Sequence, residues 1–164
     1  MLSLRDYQGS DLDAVVELFQ QSVHTLAAGH YDRVQREAWA PRKVDLQAWH
    51  SRLSSQRTRL ALIDEQLAGF IACTDDGHID LLYASPHHAR QGVASALYQD
   101  VEADLIARGA TSLSTEASLV AQGFFEHQGF VLEQLQTVFR GAVGLQRGLM
   151  RKLILPRPTH VRPV

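Results

Sequence analysis

The chain has 164 residues, 45% of them hydrophobic and 21% charged, with a formal charge of −2 and a pI near 6.4. That length suits one domain able to bury its own core, and the charge balance argues against a nucleic-acid surface built on a basic patch. The single cysteine, Cys73, excludes an internal disulfide and a multi-cysteine zinc site.

No run approaches the roughly 18 consecutive apolar residues of a membrane helix. The opening MLSLRDYQ lacks the layout of a signal peptide, so the expected location is the cytoplasm. The eight histidines are scattered with no HxxxH pair, so no metal site is expected. The expected organisation is one domain over residues 1–155 and a flexible tail over 156–164, PRPTHVRPV, where three of the five prolines fall.

In chain order, Leu2 to Arg5 reads as a strand. Ser10 to Asp13 resembles a capping box opening a helix, with Leu12, Val15, Val16, Phe19, Val23 and Leu26 at helical spacing and Gly29 as the stop. Residues 30–42 show no period. Asp45 caps a short helix with Leu46, Trp49 and Leu53 on one face. Leu60 to Ile63, Leu67 to Thr74 and His78 to Ala84 are strand-length runs joined by acid- and glycine-containing turns, an antiparallel meander.

A long helix from about Gly92 to Arg108 follows, with Ala94, Leu97, Tyr98, Val101 and Leu105 as its apolar face. Thr111 to Glu116 is a strand, Leu119 to Gln128 a short helix, and Phe130 to Val138 and Leu149 to Leu155 are the last strands. The order is β-α-α-β-β-β-α-β-α-β-β. The passage from 78 to 116 predicts two parallel strands joined by a right-handed crossover.

The stretch from Asp80 to Tyr98, DLLYASPHHARQGVASALY, is a strand, a polar loop and a helix that starts at a glycine. Free N–H groups of residues 92–95 and the helix dipole there form an anion site suited to a pyrophosphate, with Arg90 beside it. The chain has neither GxxxxGK[ST] nor GxGxxG, which argues against a P-loop or a Rossmann dinucleotide site.

Here the chain resembles the GNAT superfamily of N-acetyltransferases, over roughly residues 2–155. The family pattern Q/R-x-x-G-x-G/A reads Ala89, Arg90, Gln91, Gly92, Val93, Ala94. Thr115 to Ser118 followed by GFFEHQGF (Gly123 to Phe130) stands where the family often has FYxxxGF, and MRKL (Met150 to Leu153) is a common family ending. His24 to Trp49, with Tyr31, Trp39, Ala40, Pro41 and Trp49, looks like one small bacterial branch.

The resemblance implies an α/β fold with a central, mostly antiparallel twisted sheet of six or seven strands flanked by about four helices. It implies acetyl-CoA as cofactor, and transfer of its acetyl group to a primary amine of a small molecule or a peptide N-terminus. By position, Leu82, Tyr83 and Ala84 take the pantetheine arm. The pyrophosphate falls on Arg90, Gln91, Gly92, Val93, Ala94 and Ser95. Phe125, where the family commonly has a tyrosine, packs near the thioester but cannot donate a proton. Acceptor pockets in this fold come from the variable stretches, here 24–57 and 139–148. The partner expected is the acceptor alone, with no nucleic acid or membrane, and the chain is a monomer or a homodimer paired through its late strands.

The reaction needs a base for an ammonium whose pKa is near 10. Side chains two apart share a strand face, so His78, Asp80, Leu82 and Ala84 lie together unless a bulge intervenes. Asp80 and His78 are the leading candidates, and Glu116 on the neighbouring strand is a third. Trp39 and Trp49 either wall the acceptor pocket or fill the core, and His87 and His88 either touch phosphates or are solvated. Tyr98 and Cys73 read as core. The other reading of the whole is a CoA-binding sensor of the same fold without turnover.

Overall fold

A computed structural model describes residues 1–154, so Leu155 and the tail lie outside the described residues. The chain runs β1 (Leu2–Asp6), α1 (Leu12–Leu26), α2 (Arg33–Trp39), α3 (Leu46–Ser55), β2 (Arg57–Ile63), β3 (Gln66–Cys73), β4 (His78–Ala84), α4 (Val93–Ala107), β5 (Ser112–Ser118), α5 (Gln122–His127), β6 (Val131–Arg140) and β7 (Val143–Leu153). Seven strands form one sheet in the order β1-β2-β3-β4-β5-β7-β6. Every neighbouring pair is antiparallel except β4 and β5, which are parallel and joined through α4.

The sheet separates two cores. On one face α1 and α3 bury Val15, Phe19, Val23 and Leu53 against Leu60, Phe70 and Leu81. On the other, α4 and α5 bury Leu97, Val101, Leu105 and Phe125 against Ile71, Ile79, Leu113 and Met150. Tyr98 and Cys73 lie in this second core, and burial pushes the Cys73 thiol up to about 11. Among the described residues no helix is long and apolar enough to cross a membrane.

Four local expectations are corrected. The capping box is not Ser10 to Asp13: Asp11 accepts the Gln8 N–H at 2.9 Å and both guanidinium nitrogens of Arg5. Its carboxylate is therefore committed ahead of α1 and does not cap it. Residues 33–39, without apolar period, are helical because Asp32 and Gln35 cap each other's backbone, Asp32 Oδ1 accepting the Gln35 N–H at 2.8 Å and Gln35 Oε1 the Asp32 N–H at 2.9 Å. This makes five α-helices among the described residues, where about four were expected. The last strand starts at Val143, not Leu149, so residues 139–148 are the tip of a β6–β7 hairpin turning at Gly141, where φ is +61°. The helix expected over 119–128 is confined to Gln122–His127.

The decisive irregularity is in β4. Ala72 pairs with Leu81 and Cys73 with Ile79, which leaves Asp80 as a bulge. The alternation of faces is broken there. Ile79, Leu82 and Ala84 pack on the α4 side, while Leu81 and Tyr83 pack on the α1 side. The expectation that His78, Asp80, Leu82 and Ala84 share one face is thus overturned by one extra residue.

Candidate active site

β4 and β5 pair at only two positions, His78 with Ser114 and Ile79 with Thr115. The Thr115 hydroxyl, buried, donates to the Ile79 carbonyl at 2.9 Å and closes the vertex. Beyond it the strands part. Ser85 N–H donates to Ala68 O at 2.8 Å, continuing the β3–β4 ladder. Alternation along that ladder turns the N–H groups of Leu82 and Ala84 to the parted side.

The gap is part of a cleft of about 460 Å³ lined by Leu81, Leu82 and Tyr83 on one strand and by Thr115, Glu116, Ala117 and Ser118 on the other. Phe125 also lines it. Only 2% exposed, its ring stacks edge-on with Phe124, Phe130 and Tyr98.

The loop after β4 leads to α4. Arg90 and Gly92 both have left-handed backbone, φ +62° and +76°, and Gly92 is the residue before the first helical turn, with no side-chain cap. The first intrahelical bond runs from Ala96 N to Gly92 O at 3.0 Å. The N–H groups of Val93, Ala94 and Ser95 are therefore free of helical partners and point along the positive end of the helix dipole. A Cβ at Gly92 would meet nothing within 4 Å, so the space beside this backbone is open. Unpaired strand N–H groups leading to a bare helix N-terminus fit an amide-containing arm ending in a pyrophosphate.

The carboxylates differ in setting. Asp80 at the bulge accepts two hydrogen bonds from Arg52 of α3, at 2.7 and 2.8 Å, and one from Gln56 at 2.7 Å. Burial alone would raise its pKa, but the Arg52 and Gln56 hydrogen bonds and the Arg52 charge outweigh it and hold the carboxyl below its ordinary range. Glu116 faces the same cleft and meets Arg147 of β7 at 3.0 Å. His78 does not line the cleft. Its Nδ1 is 2.8 Å from Ser114 Oγ, at the paired start of the two strands. Of the three candidate bases, the fold brings Asp80 and Glu116 together and leaves His78 apart.

The two variable stretches meet at the same cleft. Trp39, Lys43 and Trp49 come from one, and Arg140, Gln146 and Arg147 from the other. Tyr31 joins them: its hydroxyl donates to Gln146 O at 2.5 Å and accepts the Leu119 N–H at 2.9 Å. Trp39 and Trp49 pack against the α1-side core and also line the cleft. Tyr83 is ringed by Phe19, Trp39 and Phe70, and burial pushes its phenol well up. Arg52 and Arg147, which hold the two acids, were invisible in the sequence, because nothing in their spacing ties them to Asp80 or Glu116.

Residues 26–147 match the family model of the acetyltransferase (GNAT) domain. The chain belongs to the GNAT acetyltransferase family. It is 32% identical over 142 residues to YafP, an uncharacterized N-acetyltransferase of Escherichia coli strain K12, spanning 86% of this chain and 89% of that one. A crystal structure of a GCN5-related N-acetyltransferase from Rhodopseudomonas palustris superposes with a TM-score of 0.89 at 33% identity, covering 93% of this chain and 95% of that one. PaiA N-acetyltransferase from Thermoplasma acidophilum, solved in complex with coenzyme A, shares the fold with a TM-score of 0.74 at 20% identity, over 94% and 99% of the two chains. By its membership the chain is an acetyltransferase, built on the seven-stranded GNAT sheet described above.

Proposed function

We propose that this GNAT chain binds acetyl-CoA in the β4–β5 gap and transfers the acetyl group to a primary amine of a small molecule or a peptide N-terminus. The observation that carries this reading is the continuity of the parted strands, with unpaired N–H groups at Leu82 and Ala84, into the bare N-terminus of α4 at Gly92. Bound acetyl-CoA supplies an activated acyl thioester, and the chain's residues do the rest.

The N–H groups of Val93, Ala94 and Ser95, with Arg90 and Gln91 in the loop before them, hold the pyrophosphate. Leu82, Tyr83 and Ala84 present a strand edge that would take the pantetheine arm, and one of the N–H groups on that edge would supply the donor for the oxygen that gains negative charge. Phe125 walls the thioester end. Glu116 is the proton acceptor best placed for the amine, directly or through water, since it lines the cleft and its one ion pair among the described residues is with Arg147, at 3.0 Å. Asp80, bound by three donors, orients Arg52 and is a poor base. With Phe125 in place of a tyrosine and the Tyr83 phenol pushed up by burial, neither side chain would donate a proton to the leaving sulfur, which a thiol of pKa about 8.5 would not need.

A second reading, a CoA-binding sensor without turnover, is favoured by the arginine held against each cleft carboxylate. One experiment separates the two: a thermal melt titrated with acetyl-CoA, followed by CoA release over a panel of amines. At a hundredfold excess over Kd, binding should add about 2.7 kcal/mol, and Gly92→Glu, which puts a negative side chain in the open space, should abolish the shift. Release with any amine supports transfer, binding without release supports the sensor, and no shift at millimolar acetyl-CoA removes both.

A further inference from the structure

The sequence contains only two lysines, Lys43 and Lys152, so with the Met1 amine the chain has three primary amines. They are placed very differently. Lys152 is tied down: its Nζ is 2.9 Å from Glu102 Oε2 and 5.9 Å from the centroid of the Tyr98 ring. The Met1 amine pairs with Asp64 at the far edge of the sheet, 3.0 Å away. Lys43 is exposed, has no ion-pair partner among the described residues, and lines the same cleft as Glu116, Asp80 and Tyr83.

Its backbone is also anchored. Gln20 of α1 donates to the carbonyls of Pro41 at 2.9 Å and Arg42 at 3.2 Å, which fixes the loop just ahead of Lys43. Lys43 thus carries a flexible four-carbon stem on a fixed loop that lines this cleft.

We infer that Lys43 is a self-acetylation site: the chain carries its own acceptor at the mouth of its acetyl-transfer cleft. This rests on the acetyl-CoA reading above. Lys43 Nζ, after losing a proton to a cleft carboxylate or water, bonds to the thioester carbonyl carbon. The carbon–sulfur bond breaks, its electron pair leaves on sulfur, and the second nitrogen proton passes to solvent. The products are an N-acetyl-lysine and CoA. The reaction removes the one unpaired lysine charge from the cleft, so it changes which acceptors the cleft attracts.

The test is intact-mass and peptide-mapping mass spectrometry of the full chain incubated with acetyl-CoA and no added amine, with the acetyl-CoA thermal melt run in parallel. A single acetyl group on Lys43 is expected, lost in Lys43→Arg and formed at a rate per chain independent of protein concentration. Gly92→Glu should label at least tenfold more slowly. Equal labelling of Lys43 in Gly92→Glu, or of Lys43 and the Met1 amine in wild type, marks plain chemical acetylation and overturns the proposal. A saturable thermal shift with no label on Lys43 overturns it too, while leaving acetyl-CoA binding in place. Absence of both shift and label overturns the acetyl-CoA reading as well.

Discussion

The pair Arg52 and Asp80 shows how one side chain decides the chemistry of another. The Asp80 carboxyl sits in the cleft of an acetyltransferase, yet it is spoken for by Arg52 and Gln56. Its folded pKa lies below the unfolded value, so the stability it brings is fully present above about pH 4 and is lost as the pH falls through the folded pKa. The difference in Tm between wild type and Asp80→Asn should therefore be largest near neutrality and shrink on acidification. Melts from pH 7 to pH 3 check this; a difference that grows in acid would contradict it. In turnover, Glu116→Gln should slow acetyl transfer more than Asp80→Asn, with acetyl-CoA binding retained in both. Tyr31 acts differently, through two backbone groups that its hydroxyl satisfies across the mouth of the cleft. Tyr31→Phe strands a carbonyl and an N–H, and should lower stability by about 1–3 kcal/mol in urea unfolding.

At the scale of elements, the contact that aims α4 at the cleft is made by a glycine in β3. A Cβ on Gly69 would lie 2.6 Å from Val93 Cγ1 and 2.9 Å from the Tyr83 carbonyl oxygen. The carbonyl belongs to the β4 backbone and cannot swing away. Gly69→Ala should therefore cost about 1–3 kcal/mol and push the first turn of α4 off the sheet. Gly92→Ala meets only open space and strains its backbone alone, so it should cost roughly 1 kcal/mol. Chemical denaturation of the two variants, with Gly69→Ala the less stable, checks the order. The elements legible in the sequence were those with a period, a cap or a strand-length apolar run: β1, α1, α3, α4, β5 and the meander β2–β3–β4. What it hid was local. The helix at Arg33–Trp39 is held by the capping pair Asp32 and Gln35, and buries none of its side chains fully. The bulge at Asp80 has no signature at all, because an extra residue in a strand looks like any other until its partner strand is known.

For the whole molecule, the antiparallel meander and the parallel β4–β5 pair crossed by α4 were legible from the alternation of elements, whereas the insertion of β7 between β5 and β6 was not. The strand, loop and glycine-started helix from Asp80 to Tyr98 were legible because they are contiguous. The two variable stretches were legible, but not which of their side chains meet in the cleft, since residues such as Lys43 and Arg140 are more than eighty positions apart. One feature of the assembled sheet has a cost in solution. β6 is an edge strand of ten residues, and Leu135 and Phe139 stand on one of its faces, 66% and 64% exposed, opposite Gly148 and Gly144. The two glycines contribute no side chain to cover them. Unpaired edge N–H and C=O groups beside exposed apolar side chains are a template for disordered association. Leu135→Lys places a charge on that edge without touching either core, so its thermal melt should match wild type. Light scattering at rising protein concentration should set in later for the variant; equal onset in the two proteins would show that association starts elsewhere on the surface.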